Sequence, residues 1–178
     1  MRRTVAGALA VLAAAAVVGA AAAGATPRKQ SPAKYAKTVC GTYSQLESAF
    51  RQYADGIGTL DPSQNGAYEL QAAAKTNALL ATVKAGEATL QGAYPDVAHG
   101  KRVGVLLTAN ATEIDGAVTA ALQQLQFGGA AAVVQFQVAI QTLGSKITDP
   151  FSQVKDRNLI SAFQKERSCK DVVHVVPA

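Results

Sequence analysis

The chain has 178 residues, of which 49% are hydrophobic, and carries a formal net charge of +5 at pH 7. This length corresponds to one domain with a core of its own. The charge is far below the density of a dedicated nucleic-acid-binding domain, so we do not expect nucleic acid as a partner.

The start of the chain has the pattern of a cleaved export signal. Arg2 and Arg3 precede an apolar run, Val5–Ala25, whose last three residues fit the small-x-small pattern of signal peptidase sites. The run is long enough to span a bilayer, but it is mostly Ala and Gly, which gain little from lipid. We therefore expect cleavage after Ala25 and a secreted or cell-wall-associated protein. Loss of the two arginines leaves 15 basic and 12 acidic residues, a net charge of +3.

After a flexible segment, residues 26–31, the sequence predicts a first helix. Ser31 can cap it, Pro32 suits its first position, and Gly58 ends it. Its apolar residues recur every three or four positions, as on one face of a helix. They are Val39, Tyr43, Leu46, Phe50, Tyr53, Ile57 and Leu60.

Two further helices are predicted at about 63–93 and 97–126. Asp61-Pro62 can begin the first of these, because the carboxylate accepts free amide hydrogens and proline lacks one. The apolar stripes comprise Tyr68, Ala72, Leu79, Val83 and Leu90, and then Val103, Leu107, Ile114, Val118, Leu122 and Leu125. Asn110 lies within the second stripe, where a buried amide that fixes helix register is the favoured interpretation over a ligand contact.

A fourth helix follows the turn Phe127–Gly129. Its stripe contains Val133, Phe136, Ile140, Leu143 and Ile147, and Pro150 interrupts it. Helix resumes to about Ser168 with Phe151, Val154, Ile160 and Phe163 inward, and residues 171–178 form a tail. No strand-like alternation extends over a useful length, so the prediction is an all-α fold.

The two cysteines of the chain, Cys40 and Cys169, predict a disulfide. An even pair in an exported protein is more often bridged than free, and neither cysteine has a neighbour at metal-ligand spacing. Bridged Cα atoms lie within about 7 Å, so the segment after Pro150 must continue in the direction of the fourth helix. Residues 32–170 are thus predicted to form an up-down-up-down four-helix bundle, with the fourth helix kinked at Pro150 and one disulfide closing it.

This topology collects basic residues at one end, which we name the basic pole. Its nine members are Arg28, Lys29, Lys34, Lys37, Lys101, Arg102, Lys165, Arg167 and Lys170. Such an end could bind an anionic cell-wall polymer or membrane headgroups. The alternative is that helix ends and chain ends ordinarily attract Lys and Arg, without a partner.

Catalytic and cofactor motifs are missing from the sequence. It contains no GxSxG, GxGxxG or P-loop pattern, so neither an enzyme nor a bound cofactor is expected. His99 and His174 are residue types that ligate metal or haem, but neither has a helical partner three or four residues away. A carrier of haem or a small apolar ligand remains the alternative, with a cavity between the helices beside Phe136 and Tyr53.

The Ala-rich export signal, the helical body and the widely separated pair Cys40 and Cys169 resemble small secreted helical proteins of high-GC actinobacteria. The resemblance implies secretion or cell-wall association and transfers no functional residue. The sequence therefore predicts an exported, non-catalytic envelope protein with a binding or structural role.

Overall fold

The computed structural model describes residues 26–126, 128–146, 150–170 and 172. Within these ranges the chain is mostly helical, as predicted. The five α-helices there are α1 (Pro32–Gly58), α2 (Asn65–Gln91), α3 (Gly100–Gln126), α4 (Gly129–Lys146) and α5 (Arg157–Lys165). Two 3₁₀ turns, Pro150–Gln153 and Arg167–Cys169, flank α5, and two short strands are β1 (Arg28–Gln30) and β2 (Ala93–Pro95).

Helix α1 begins and ends as the sequence predicts. The Ser31 side chain accepts a hydrogen bond from the Lys34 amide at 3.4 Å, and Pro32 occupies the first turn. The predicted apolar face is the buried face. Val39, Tyr43, Leu46 and Tyr53 are buried, and Phe50, Ile57 and Leu60 are partly buried against the core.

Helix α2 begins later than predicted, because Asp61 does not cap it. The Asp61 carboxylate instead accepts hydrogen bonds from the amide and hydroxyl of Ser63, at 2.9 and 2.7 Å. These bonds favour the ionised carboxylate and lower the pKa of Asp61. They stabilise a turn, and Gln64 is the residue that precedes the first turn of α2.

The two strands are a feature that the sequence interpretation missed. β1 pairs in parallel with β2, in a register that places Arg28 opposite Ala93 and Gln30 opposite Pro95. The amide of Asp96 extends the pairing by donating to the Gln30 carbonyl at 2.7 Å. The expectation that residues 26–31 form a flexible segment is therefore wrong for β1, which is held by backbone hydrogen bonds to β2.

Strand β2 also delays the start of α3, which was predicted near residue 97. His99 has a left-handed backbone conformation, with φ of 58°, and its carbonyl accepts the amides of Arg102 and Val103. The backbone of Gly100 lies so near Pro95 that a Cβ atom there would be 1.9 Å from the proline carbonyl oxygen. A side chain at position 100 would force β2 and α3 apart.

The helices pack in sequence order, with α1 against α2, α2 against α3 and α3 against α4. Small buried side chains such as Ala72 and Thr76 lie on the inner face of α2, as its Ala-rich stripe predicts. Asn110 of α3 is buried, also as predicted. The predicted inner residues Val133 and Phe136 of α4 are buried, whereas the side chains of the three that follow lie outside the described part of the chain.

The predicted fourth helix that continues through a kink at Pro150 is not confirmed. Helix α4 ends at Lys146, Pro150 begins a 3₁₀ turn, and α5 starts as a separate helix at Arg157. A local cap explains the new start, because the Asp156 carboxylate accepts the Leu159 amide at 3.0 Å. Helix α5 packs against α1.

The predicted disulfide between Cys40 and Cys169 is confirmed. The two Cα atoms are 4.9 Å apart, and both residues are buried. Edge-to-face ring contacts join Tyr43 to Phe151 and Phe151 to Phe163, with centroids 5.5 and 5.1 Å apart. The C-terminal segment is therefore fastened to the first half of α1 by one covalent bond and an aromatic cluster.

Candidate functional site

The residues of the basic pole lie on segments that the fold ties to one end of α1. The strand pairing brings Arg28 and Lys29 beside β2, and Lys101 and Arg102 follow a few residues later at the start of α3. Lys34 and Lys37 lie in the first two turns of α1, directly before Cys40. The disulfide brings the remaining three, Lys165, Arg167 and Lys170, to the same part of α1.

All nine cations are exposed, and one of them is paired with an acid. Lys29 Nζ lies 2.7 Å from an Asp96 carboxylate oxygen, and this hydrogen bond, together with the opposite charge, raises the pKa of Lys29. Among the described residues, the other eight have no salt bridge. Glu166, the other described acid in these segments, accepts hydrogen bonds from the Ser168 amide and hydroxyl. The pole therefore keeps most of its positive charge available to a partner.

A groove opens beside the basic pole, between the end of α2, strand β2 and the first half of α3. Its volume is about 860 Å³. Leu90, Gln91, Ala93 and Tyr94 form one wall, and Thr26 and Pro27 border it where the described chain begins. The α3 wall consists of Lys101, Gly104, Val105, Thr108, Ala109, Thr112 and Glu113. These positions form one continuous helix face, because they recur every three or four residues.

The two ends of this groove have opposite charge. Lys101 lies at one end with its ammonium group 5.7 Å from the centre of the Tyr94 ring, a cation–π contact. Glu113 lies at the other end, where Glu87 of α2 accepts a hydrogen bond from the Thr112 hydroxyl at 2.6 Å. Between them, Val105 has 70% of its surface exposed. The groove is thus apolar along its length, basic at one end and acidic at the other.

A ligand cavity was expected beside Phe136 and Tyr53, but the larger groove lies at a different place, between α2, β2 and α3. Phe136 is fully buried and Tyr53 is 5% exposed, so these side chains fill the core. A shallow cleft of about 190 Å³ beside Tyr53 is bordered by Ala49, Ala78 and Leu79, among others. The larger groove was missed because one of its walls is strand β2, which the sequence interpretation did not predict, and because its lining carries no motif. Val105 could have indicated the groove, because it is an apolar residue that lies outside the predicted inner stripe of its helix.

Of the two histidines, only His99 belongs to the described residues. His99 is exposed at the start of α3, and His174 lies outside the described residues. Residues 26–126, 128–146, 150–170 and 172 contain no group of three or more His, Cys, Asp or Glu side chains arranged to hold a metal ion. In the same ranges no helix combines the length and the apolar character needed to cross a bilayer.

Comparison with protein-family models, curated proteins and solved structures finds no match to this chain.

Proposed function

We propose that this chain is an exported, non-catalytic envelope protein that docks onto an anionic cell-wall polymer through its basic pole. The disulfide between Cys40 and Cys169 supports export, because such bonds form and persist in oxidising compartments. The signal pattern that ends at Ala25 supports the same localisation.

The observation that carries the proposal is the convergence of separate basic segments. Strand pairing and the disulfide bring two stretches of chain that are distant in sequence, around residues 93–102 and 165–170, to the start of α1. Helix ends attract isolated Lys and Arg, but that tendency does not require several ends to be fastened together. Exposed, mostly unpaired cations on one surface raise the local potential well above that expected from a net charge of +3.

We further propose that α1–α4 run up-down-up-down as a four-helix bundle. The connections at residues 59–64 and 92–99 are short, which favours antiparallel neighbours. Consecutive helices also pack on each other. Such a course supports the assignment of the pole, because α1 and α3 then start at the same end.

Retention on purified anionic wall polymer tests the docking function. We expect retention that falls as salt rises, because exposed charges are screened beyond about 8–10 Å at physiological ionic strength. Replacement of Lys101, Arg102 and Arg167 together by glutamine should weaken retention about tenfold at low salt.

The matched control removes the same charge elsewhere. Arg51, Lys75 and Lys84 lie on α1 and α2 outside the basic pole, and their joint replacement by glutamine should leave retention nearly unchanged. Retention that does not change with salt concentration, or that falls equally in both triple variants, would refute the basic pole as the docking surface.

A second candidate function, carriage of a small apolar ligand or haem, is favoured by the groove. Its volume of about 860 Å³ lies within the range of ligand pockets, about 300–1,000 Å³. Absorbance and mass analysis of protein purified from its native host tests this candidate. A haem would absorb visible light, and an apolar ligand would appear in the mass spectrum of an organic extract.

A further inference from the structure

The lining of the groove on α3 suits an apolar chain. On the α3 side of the groove, the small side chains of Thr108 and Ala109 lie beside the exposed Val105. By contrast, Val83 of α2 and Val118, further along α3, are fully buried. An occupant that covered Val105 would remove apolar surface from water, which is the main source of affinity for such ligands.

The charges at the two ends orient such an occupant. Lys101 and Glu113 are twelve positions apart on one helix face, a length of about 18 Å at 1.5 Å per residue. Lys101 forms no salt bridge with a described carboxylate, so its ammonium group is available to a negative group. Glu87 and Glu113 would repel a negative group at the far end. An anionic head therefore fits beside Lys101, and a neutral tail fits along the groove.

Cleavage of the export signal would add a positive charge at the end of the groove where Lys101 lies. Thr26 lines the groove, and the cleavage that we propose after Ala25 would make Thr26 the first residue. Its α-ammonium group would then lie at the groove as a second cation. An α-amino group of ordinary pKa, about 8, is mostly protonated at neutral pH.

The walls of the groove also favour a hydrocarbon chain over a peptide as the ligand. Most of the lining belongs to α2 and α3, whose backbone groups are occupied by hydrogen bonds within each helix. An extended peptide would bury amide groups against these walls without partners, which is unfavourable. A hydrocarbon chain has no polar groups to satisfy.

We propose that this groove binds a long-chain fatty acid, with the carboxylate against Lys101 and the tail along Val105 and Ala109. This inference deepens the second candidate function and rests on it, and it shares Lys101 with the basic pole.

Titration with cis-parinaric acid, a fatty acid that becomes fluorescent in apolar sites, tests the tail position. The exported protein should bind it saturably, and Val105→Glu should weaken binding at least about tenfold, because a charge would be buried beneath the tail. The control is Val134→Glu on α4, since Val134 is likewise exposed (59%) and lies outside the groove. Equal loss in both variants, or none in Val105→Glu, would overturn the assignment.

The head position has its own test. Lys101→Gln should weaken the acid about tenfold and leave the methyl ester of the same fatty acid unaffected, because the ester carries no charge. Arg102→Gln combined with Arg167→Gln should leave fatty-acid binding intact even if it abolishes polymer retention. Equal effects of Lys101→Gln on acid and ester would overturn the carboxylate contact.

Other occupants would give different results. A dimer in light scattering that Val105→Glu converts to monomer, without fatty-acid binding, would assign the groove to a second copy of the chain. Protection of Val105→Cys from alkylation only in a chain that retains residues 1–25, again without binding, would assign it to the protein's own N-terminal segment. Either result would overturn the proposal.

Discussion

The two sides of the disulfide-bonded end differ in how completely they are packed. On the disulfide side, Leu159, Phe163 and Cys169 lie against α1 with at most 3% of their surface exposed. On the groove side, Val105 is 70% exposed, and small side chains leave room for a ligand. Both sides adjoin the same basic pole.

From this difference we expect the disulfide side to contribute mainly to stability and the groove side mainly to binding. Aromatic rings and a covalent bond on the disulfide side contribute stability, which substitutions there should reduce. Val105 on the groove side buries little area in the protein itself, so its replacement should affect binding more than folding.

The largest effect is expected from loss of the disulfide. The bond joins residues 129 positions apart, and a loop of that length corresponds to about 5 kcal/mol in the entropic model, near the top of the observed range. Replacement of Cys40 and Cys169 together by alanine should lower the free energy of unfolding by that order in urea titrations. A loss below about 1 kcal/mol would indicate that packing alone holds the C-terminal segment.

The next effect is expected from the aromatic cluster. Phe163→Ala removes a ring that contacts Phe151 and is 3% exposed, so it should lower the free energy of unfolding by about 3–5 kcal/mol. Val105→Ala on the groove side is the matched comparison and should change stability by less than about 0.5 kcal/mol. Similar losses in the two variants would remove the contrast between the sides.

Alkaline unfolding should depend on buried tyrosines. Burial raises the pKa of Tyr35, and it raises the pKa of Tyr53 to about 12, partly offset by a hydrogen bond with Thr76. In the unfolded chain tyrosine titrates near pH 10. Above that pH the unfolded state loses protons that the folded state keeps, so stability is complete below pH 10 and falls as pH rises further.

Two conservative variants separate these tyrosines. The Tyr35 hydroxyl is buried without a hydrogen-bond partner among the described residues, whereas the Tyr53 hydroxyl lies 3.0 Å from that of Thr76. At neutral pH, Tyr35→Phe should leave stability unchanged or raise it by about 1 kcal/mol, and Tyr53→Phe should lower it by about 1 kcal/mol. Both should reduce the loss of stability above pH 10. Destabilisation by Tyr35→Phe at neutral pH would indicate a partner for its hydroxyl.

Features with a direct pattern in the sequence could be predicted, whereas features formed by short or distant segments could not. Helix α1 and the disulfide were predicted because a three-four spacing and an even cysteine pair each have a direct physical meaning. Strand β1 was not, because three residues such as Arg28–Gln30 show no period, and their partner is more than 60 positions away. The groove was not, because one of its walls is strand β2, and Ala93–Pro95 is too short to show a strand period.

The smallest predicted effect concerns the start of α5 on the disulfide side. Asp156→Ala removes the side chain that accepts the Leu159 amide at 3.0 Å, and loss of such a cap costs about 1 kcal/mol. Gln164→Ala, at an exposed position of the same helix, is the control. Hydrogen exchange should quicken at α5 amides in Asp156→Ala and remain unchanged in α3, because the loosening is local while the disulfide persists. Faster exchange throughout the chain would instead mean that this cap contributes to the stability of the whole fold, and that α5 does not open separately from α1.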